Sequence, residues 1–137
     1  MVGVLHPGAM GAAIGSALRP RAGAVIWAAA GRSRATSKRA ELADLIGVPD
    51  TAAVARRSDV IVSVCPPHAA REVAEEVAVA LDPAPGGRIP VYVDANAVSP
   101  ATVQAIAARL NPSGRSTAAR ASAAELYRRL SDGRLAP

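Results

Sequence analysis

Residues 2–11 read VGVLHPGAMG, and how this stretch is parsed decides the fold. A short apolar run, Val2 to Leu5, enters a glycine turn. Ala9 to Leu18 follows as small and apolar residues that read as a helix, closed by Arg19-Pro20. Pro7 has no N–H and fixes its own φ near about −65°, and it predicts an extended conformation for His6 before it.

The rest of the chain repeats that alternation. Ala24 to Ala28 (AVIWA) predicts a second strand, and after a Gly-Arg-Ser turn a helix is expected from Thr36 to Ile46. Gly47-Val48-Pro49 reads as a brief extended stretch and Thr51 to Arg56 as a short helix. Ser58 to Val64 (SDVIVSV) is the clearest strand, stopped by Cys65-Pro66-Pro67, and His68 to Leu81 is an amphipathic helix. DPAPGGRIP is a loop, VYVDA a strand, and Ser99 to Leu110 a helix with Ser99 as N-cap and Pro100 at its first position. Strands this apolar are buried on both faces, which marks a parallel sheet covered by helices. The expected fold is α/β: a Rossmann-type doubly wound parallel sheet in a single domain over residues 1–112, with an irregular tail over 113–137. The tail holds one candidate helix, Ser122 to Leu130.

Composition narrows the functional classes. A chain of 137 residues has room for one domain with a substantial core. No run approaches the roughly 18 uncharged apolar residues of a membrane span, and no leader-like pattern opens the sequence. Cys65 is the only cysteine, so no disulfide framework forms within the chain and no metal centre is expected; the cytoplasm is the expected compartment. The pI near 10.6 raises nucleic acid as a partner. Yet residues 1–112 hold eleven Lys/Arg and nine Asp/Glu, whereas the last 25 residues hold five Arg and two acids. The surplus therefore sits in the tail, and two Tyr and one Trp offer little base stacking, so nucleic acid is not assigned as a partner.

In a parallel α/β sheet the first strand-to-helix turn is where a pyrophosphate meets a helix N-terminus, in the pattern G-x-G-x-x-G. Gly8 and Gly11 supply its second and third glycines. His6 and Pro7 stand where the pattern has a glycine and a free residue, so anion contacts must come from the amides of Gly8, Ala9, Met10 and Gly11. A plain strand-to-helix turn is the alternative for this segment alone, and His6 reads as a turn residue rather than a catalytic base.

VGVLHPGAMGAAIGSAL resembles the opening of the β-hydroxyacid dehydrogenases, the family that includes 6-phosphogluconate dehydrogenase. Three further segments resemble that family in the right order: VIWAAAGRS at the second strand and its turn, SDVIVSVCPP, and VYVDANAVSPATVQAIA. The LHPG variant is similar to a branch known only as phosphogluconate-dehydrogenase-like. The likeness covers about residues 2–110 and implies an NADP-dependent oxidoreductase domain.

The cofactor follows from the end of the second strand. An NAD enzyme places a carboxylate there for the ribose 2′-hydroxyl, roughly 20 residues after the glycine turn. This chain has Ala28, Ala29 and Ala30, then Gly31-Arg32-Ser33-Arg34. With no carboxylate to repel a 2′-phosphate, and with Arg32 and Ser33 to hold one, NADP is favoured over NAD; the same arginines also fit a solvated turn. The resemblance implies that Cys65 and Pro66 line the adenosine ribose and pyrophosphate, and Cys65 reads as an apolar residue rather than a nucleophile. Asn96 stands where the family has Ser or Thr near the nicotinamide, and either a bond to the cofactor or substrate or a turn cap fits it. Asp94 is expected to structure the same loop.

The family continues with a further strand and a helical domain that carries its catalytic lysine. Lys38, the single lysine here, falls in the second helix, so no catalytic residue is assigned, and the chain is expected to be truncated, to bind cofactor and to catalyse little. A family-like Val-Asp-Gly-Gly coded GTC GAC GGC GGC and read one base late gives Ser-Thr-Ala-Ala, the sequence at Ser116-Thr117-Ala118-Ala119, so a frameshift product is expected from about residue 115. A non-catalytic nucleotide-sensing module with a basic tail is the alternative.

Overall fold

The computed structural model describes residues 1–82 and 89–111. Its five strands, β1 (Val2–Leu5), β2 (Val25–Ala28), β3 (Ile46–Val48), β4 (Val60–Ser63) and β5 (Val91–Asp94), form one parallel sheet in the order β3-β2-β1-β4-β5. The helices are α1 (Ala9–Ala22), α2 (Arg34–Leu42), α3 (Thr51–Arg57), α4 (Ala70–Leu81) and α5 (Pro100–Leu110). Strand order reverses between β3 and β4: α3 carries the chain back across β2 and β1, so the C-terminal ends of β1 and β4 flank a crevice.

Alternation along each strand builds two cores. Val4, Val25 and Trp27 face α1 and α2 with Ala40 and Leu45. Leu5, Ile26, Ala28 and Ile61 face the opposite side with Val54, Ala55, Val73 and Val77. Each fully buried aliphatic side chain contributes about 1.5–3 kcal/mol of transfer free energy. Gly3 is held to glycine by this packing, since a Cβ there would lie 2.4 Å from Val54 Cγ1.

Three helices differ from the sequence expectation at their ends, and β4 (Val60–Ser63) is shorter than the expected Ser58 to Val64. Helix α1 runs through Pro20 to Ala22 instead of ending at Leu18. Ser16 and Pro20 are both exposed, so the bond that proline cannot make is lost on the solvent side, and Gly23 at φ +63° ends the helix. Helix α2 starts two residues early because the Ser33 hydroxyl accepts a hydrogen bond from Thr36 N, and it stops at Leu42, which frees Ile46 to open β3. The helix expected from His68 begins as a short 3-10 turn, Pro67–Ala69, before α4. The Ser99 cap and Pro100 at the first position of α5 are as expected. The helix expected over 122–130, and most of the 82–90 loop, lie outside the described residues. Among the described residues no helix is long and apolar enough to cross a membrane.

Candidate functional site

The turn between β1 and α1 is tighter than the sequence suggests. His6 has φ +64°, not the extended conformation that Pro7 predicts. Closure of the turn wins: Gly8 N donates to the His6 carbonyl at 2.7 Å, and a Cβ on Gly11 would lie 2.6 Å from that same oxygen. The first glycine position of the turn requires a positive φ, and a histidine held there costs on the order of 1–2 kcal/mol.

Beyond the turn, Ala12 N donates to Gly8 O as the first α-helical bond. Helical geometry leaves the N–H groups of Ala9, Met10 and Gly11 without intrahelical acceptors. Gly8 has an ordinary negative φ, and a Cβ built on it meets nothing within 4 Å. Neither backbone conformation nor internal packing therefore calls for glycine at position 8; the space in front of it is open.

The end of β2 closes the other side of the crevice. Ala29 N and Ala30 N continue the ladder to Val48 O and Pro49 O, and Arg32 N donates to Ala29 O at 3.4 Å. Arg32 is half-buried, and its Nε has no hydrogen-bond partner. His6 Nδ1 is likewise buried and unpartnered. The two side chains sense each other: burial, chiefly, and the Arg32 charge hold the His6 imidazole below its ordinary range, while Glu76 of α4 acts to raise it. Glu76 accepts a hydrogen bond from Thr51 Oγ1 at 3.1 Å, at the start of α3. A buried polar group left unsatisfied costs about 1–3 kcal/mol, so two such nitrogens near each other, the Arg32 Nε a fixed donor and the His6 Nδ1 a donor once the ring is protonated, mark a place suited to an acceptor. Ser33 is committed to α2: its hydroxyl takes the Thr36 N–H and lies 3.0 Å from Thr36 Oγ1.

Across the crevice, β4 and β5 pair with Ser63 opposite Asp94 and Ile61 opposite Tyr92. Asn96 ties the two strand ends together. Its Oδ1 accepts from Cys65 N at 2.6 Å, its Nδ2 donates to Ser63 Oγ at 3.2 Å, and its own N–H donates to Asp94 Oδ1 at 2.9 Å. Burial pushes the Cys65 thiol up, Ser63 opposing and Asp94 reinforcing, so sulfur stays protonated at neutral pH. Burial likewise pushes the Tyr92 phenol far above its ordinary range. Tyr92 OH and Asp94 Oδ2 are buried without partners. Pro66 is exposed and starts the 3-10 turn, its carbonyl accepting from Ala69 N. Lys38 lies on the surface of α2, paired with Glu41 at 3.0 Å.

Of the residues singled out in the sequence, Gly8, Ala9, Met10 and Gly11 follow β1 and Arg32 and Ser33 follow β2, so both groups lie at the C-terminal edge of neighbouring parallel strands. Sequence reasoning missed the His6 side chain as the neighbour of Arg32, and it missed Ser63, Tyr92 and Glu76. The period-2 spacing of Ser63 with Cys65 and of Tyr92 with Asp94 was the available signal, but only the strand register brings the two pairs together.

A reversed parallel sheet, a glycine turn at its first crossover and a crevice lined by amide donors define a pyridine-nucleotide-binding oxidoreductase domain. Residues 1–89 match the model of one family, and the chain belongs to it: NADP oxidoreductase, coenzyme F420-dependent. Among solved structures, the chain is similar to a conserved protein described as structurally similar to 3-hydroxyacid dehydrogenases, at 26% identity and a TM-score of 0.68, over 80% of this chain and 39% of that one. It is also similar to the pyrroline carboxylate reductase of Plasmodium falciparum with NADP bound (16% identity, TM-score 0.50, over 69% of this chain and 32% of that one). A third likeness is to the prephenate dehydrogenase of A. aeolicus with NAD+ (20% identity, TM-score 0.62, over 80% of this chain and 37% of that one). The last two show the fold alone. No functionally curated protein matches the chain. The chain thus spans about two fifths of the length of the first solved relative.

The residues present fit a dinucleotide: open space before Gly8, three unengaged helix-start amides, and buried unpartnered nitrogens on His6 and Arg32.

Proposed function

We propose that this chain binds NADP(H) in preference to NAD(H), as the cofactor domain of an oxidoreductase acting on a small hydroxyacid or imine-type substrate. The amides of Ala9, Met10 and Gly11, with Gly8 leaving room for approach, receive the pyrophosphate, where the helix end favours an anion by about 0.3–1 kcal/mol per exposed interaction. Arg32 receives the 2′-phosphate beside Ser33, whose cap fixes the start of α2. The Cys65 and Pro66 backbone lines the ribose and pyrophosphate, and Asn96 holds that segment in place toward the nicotinamide end. The bound cofactor supplies the hydride. A cytoplasmic setting goes with this chemistry and with the single protonated thiol.

The observation that carries the assignment is the Arg32 Nε, buried without a partner at a strand end that has no carboxylate. A hydrogen bond from a charged donor is worth about 1.5–3 kcal/mol, or roughly ten- to a hundredfold in affinity. Replacing Arg32 by Ala should therefore weaken NADPH binding by about that factor and leave NADH binding nearly unchanged, measured by fluorescence titration of the reduced cofactors. Equal affinity of the native chain for both cofactors contradicts the proposal.

A further inference from the structure

The residue that departs from the glycine pattern also carries a buried atom that the fold leaves without a partner. At His6 a glycine would adopt φ +64° freely, yet the chain carries an imidazole there. That imidazole carries a buried Nδ1 without a hydrogen-bond partner, and Arg32, near enough for its charge to act on the ring, carries an Nε in the same condition. Among the described residues Arg32 forms no ion pair, and the one carboxylate that acts on His6, Glu76, is hydrogen-bonded by Thr51. Two nitrogen-bearing side chains at the ends of neighbouring strands thus each hold a buried atom that no group among the described residues satisfies. Strain at a non-glycine residue persists where the surroundings over-determine it, and such outliers cluster at ligand clamps.

We propose that His6 is a second ligand of the 2′-phosphate beside Arg32, so that the ends of β1 and β2 select the phosphorylated cofactor jointly. This rests on the NADP assignment above and extends it to a residue outside the amide cradle. A dianionic phosphate provides the acceptor that both nitrogens lack and favours the protonated imidazole. NADPH binding then draws a proton onto His6. The charged groups acting on it are Arg32, from the β2–α2 connection, which opposes protonation, and Glu76, from α4, which assists it.

The test uses the full chain with His6→Gly and His6→Asn. Glycine accepts the native φ, so His6→Gly should melt no lower than the native protein. It should bind NADPH about tenfold more weakly at pH 6, equivalent to about 1.4 kcal/mol, with NADH affinity unchanged. Calorimetry of NADPH binding in two buffers of different ionisation enthalpy should show proton uptake by the native chain that is reduced in both variants. His6→Asn tolerates the positive φ and retains a side-chain donor, and it should keep part of the NADPH affinity without that uptake. An unchanged NADPH:NADH ratio in His6→Gly, or an equal loss for both cofactors, overturns the assignment. The two proposals separate cleanly: if Arg32→Ala abolishes the preference while His6→Gly leaves it and the proton uptake intact, only the His6 role fails; if the native chain shows no preference, the NADP assignment itself fails.

Discussion

The two sides of the crevice treat their polar groups differently. At the ends of β4 and β5 the side chains bond one another: Asn96 takes the Cys65 N–H, supplies Ser63 and draws its own N–H to Asp94. At the ends of β1 and β2 the amides of the α1 start, the Arg32 Nε and the His6 Nδ1 have no such partners. The first side is bonded across its strand ends, with the Tyr92 hydroxyl and Asp94 Oδ2 left over as buried oxygens without partners. The second side presents nitrogen groups and open space, which is what a phosphate-bearing ligand requires. The phosphate end of the ligand is therefore read from unpartnered nitrogen groups together with the open space at Gly8.

The strongest way to break this contrast is at Gly8. A side chain there meets no protein atom, so Gly8→Val should fold normally. It should nevertheless lose affinity for NADPH and NADH alike by roughly a hundredfold or more, about 2.8 kcal/mol. A valine variant that binds both cofactors as before would mean that the open space is not the pyrophosphate site. Thermal melting and cofactor titration on the same preparation separate the two effects.

Asn96→Ala should show the reverse. It leaves the Cys65 N–H and Ser63 hydroxyl unsatisfied and should destabilise the fold by about 1–3 kcal/mol in denaturant unfolding. The NADPH:NADH ratio should stay as it is, because Asn96 acts on the β4–β5 side. A change in that ratio would show that the two sides are coupled.

A smaller effect is expected from pH on the cofactor-free chain. The His6 imidazole is held below its ordinary value of 6.5, so the unfolded chain takes up its proton first as pH falls. Stability from this group is complete above pH 6.5 and is lost as pH drops through the lower folded value. Denaturant midpoints measured from pH 7.5 downward should decline below 6.5, and His6→Gly should flatten that part of the curve. An identical slope in the variant would assign the decline to other groups.

Much of this was legible in the sequence because several levels of it agree. Apolar runs gave β1, β2, β4 and β5, β3 was legible only as a brief extended stretch, and Ser99 with Pro100 gave the start of α5. The misses share a cause: a local rule was outvoted by a longer-range demand. Pro7 favours an extended His6, but the turn must close on Gly11, so His6 takes a positive φ. Pro20 disfavours continuing α1, but the bond it forgoes faces water. The Ser63–Asn96–Cys65 clamp joins residues about 31–33 apart in sequence. Only the parallel register of β4 and β5 creates it, and no local spacing encodes that register.

The most direct test of the account follows the backbone amides themselves. In a ¹⁵N-labelled chain titrated with NADPH, the signals of Ala9, Met10 and Gly11 should move together and saturably with that of Arg32, while the Asn96 amide, already bonded to Asp94, should shift least among the crevice residues. Absence of any shift at millimolar NADPH, or shifts that spare residues 9–11, would contradict the assignment of this turn as the dinucleotide site.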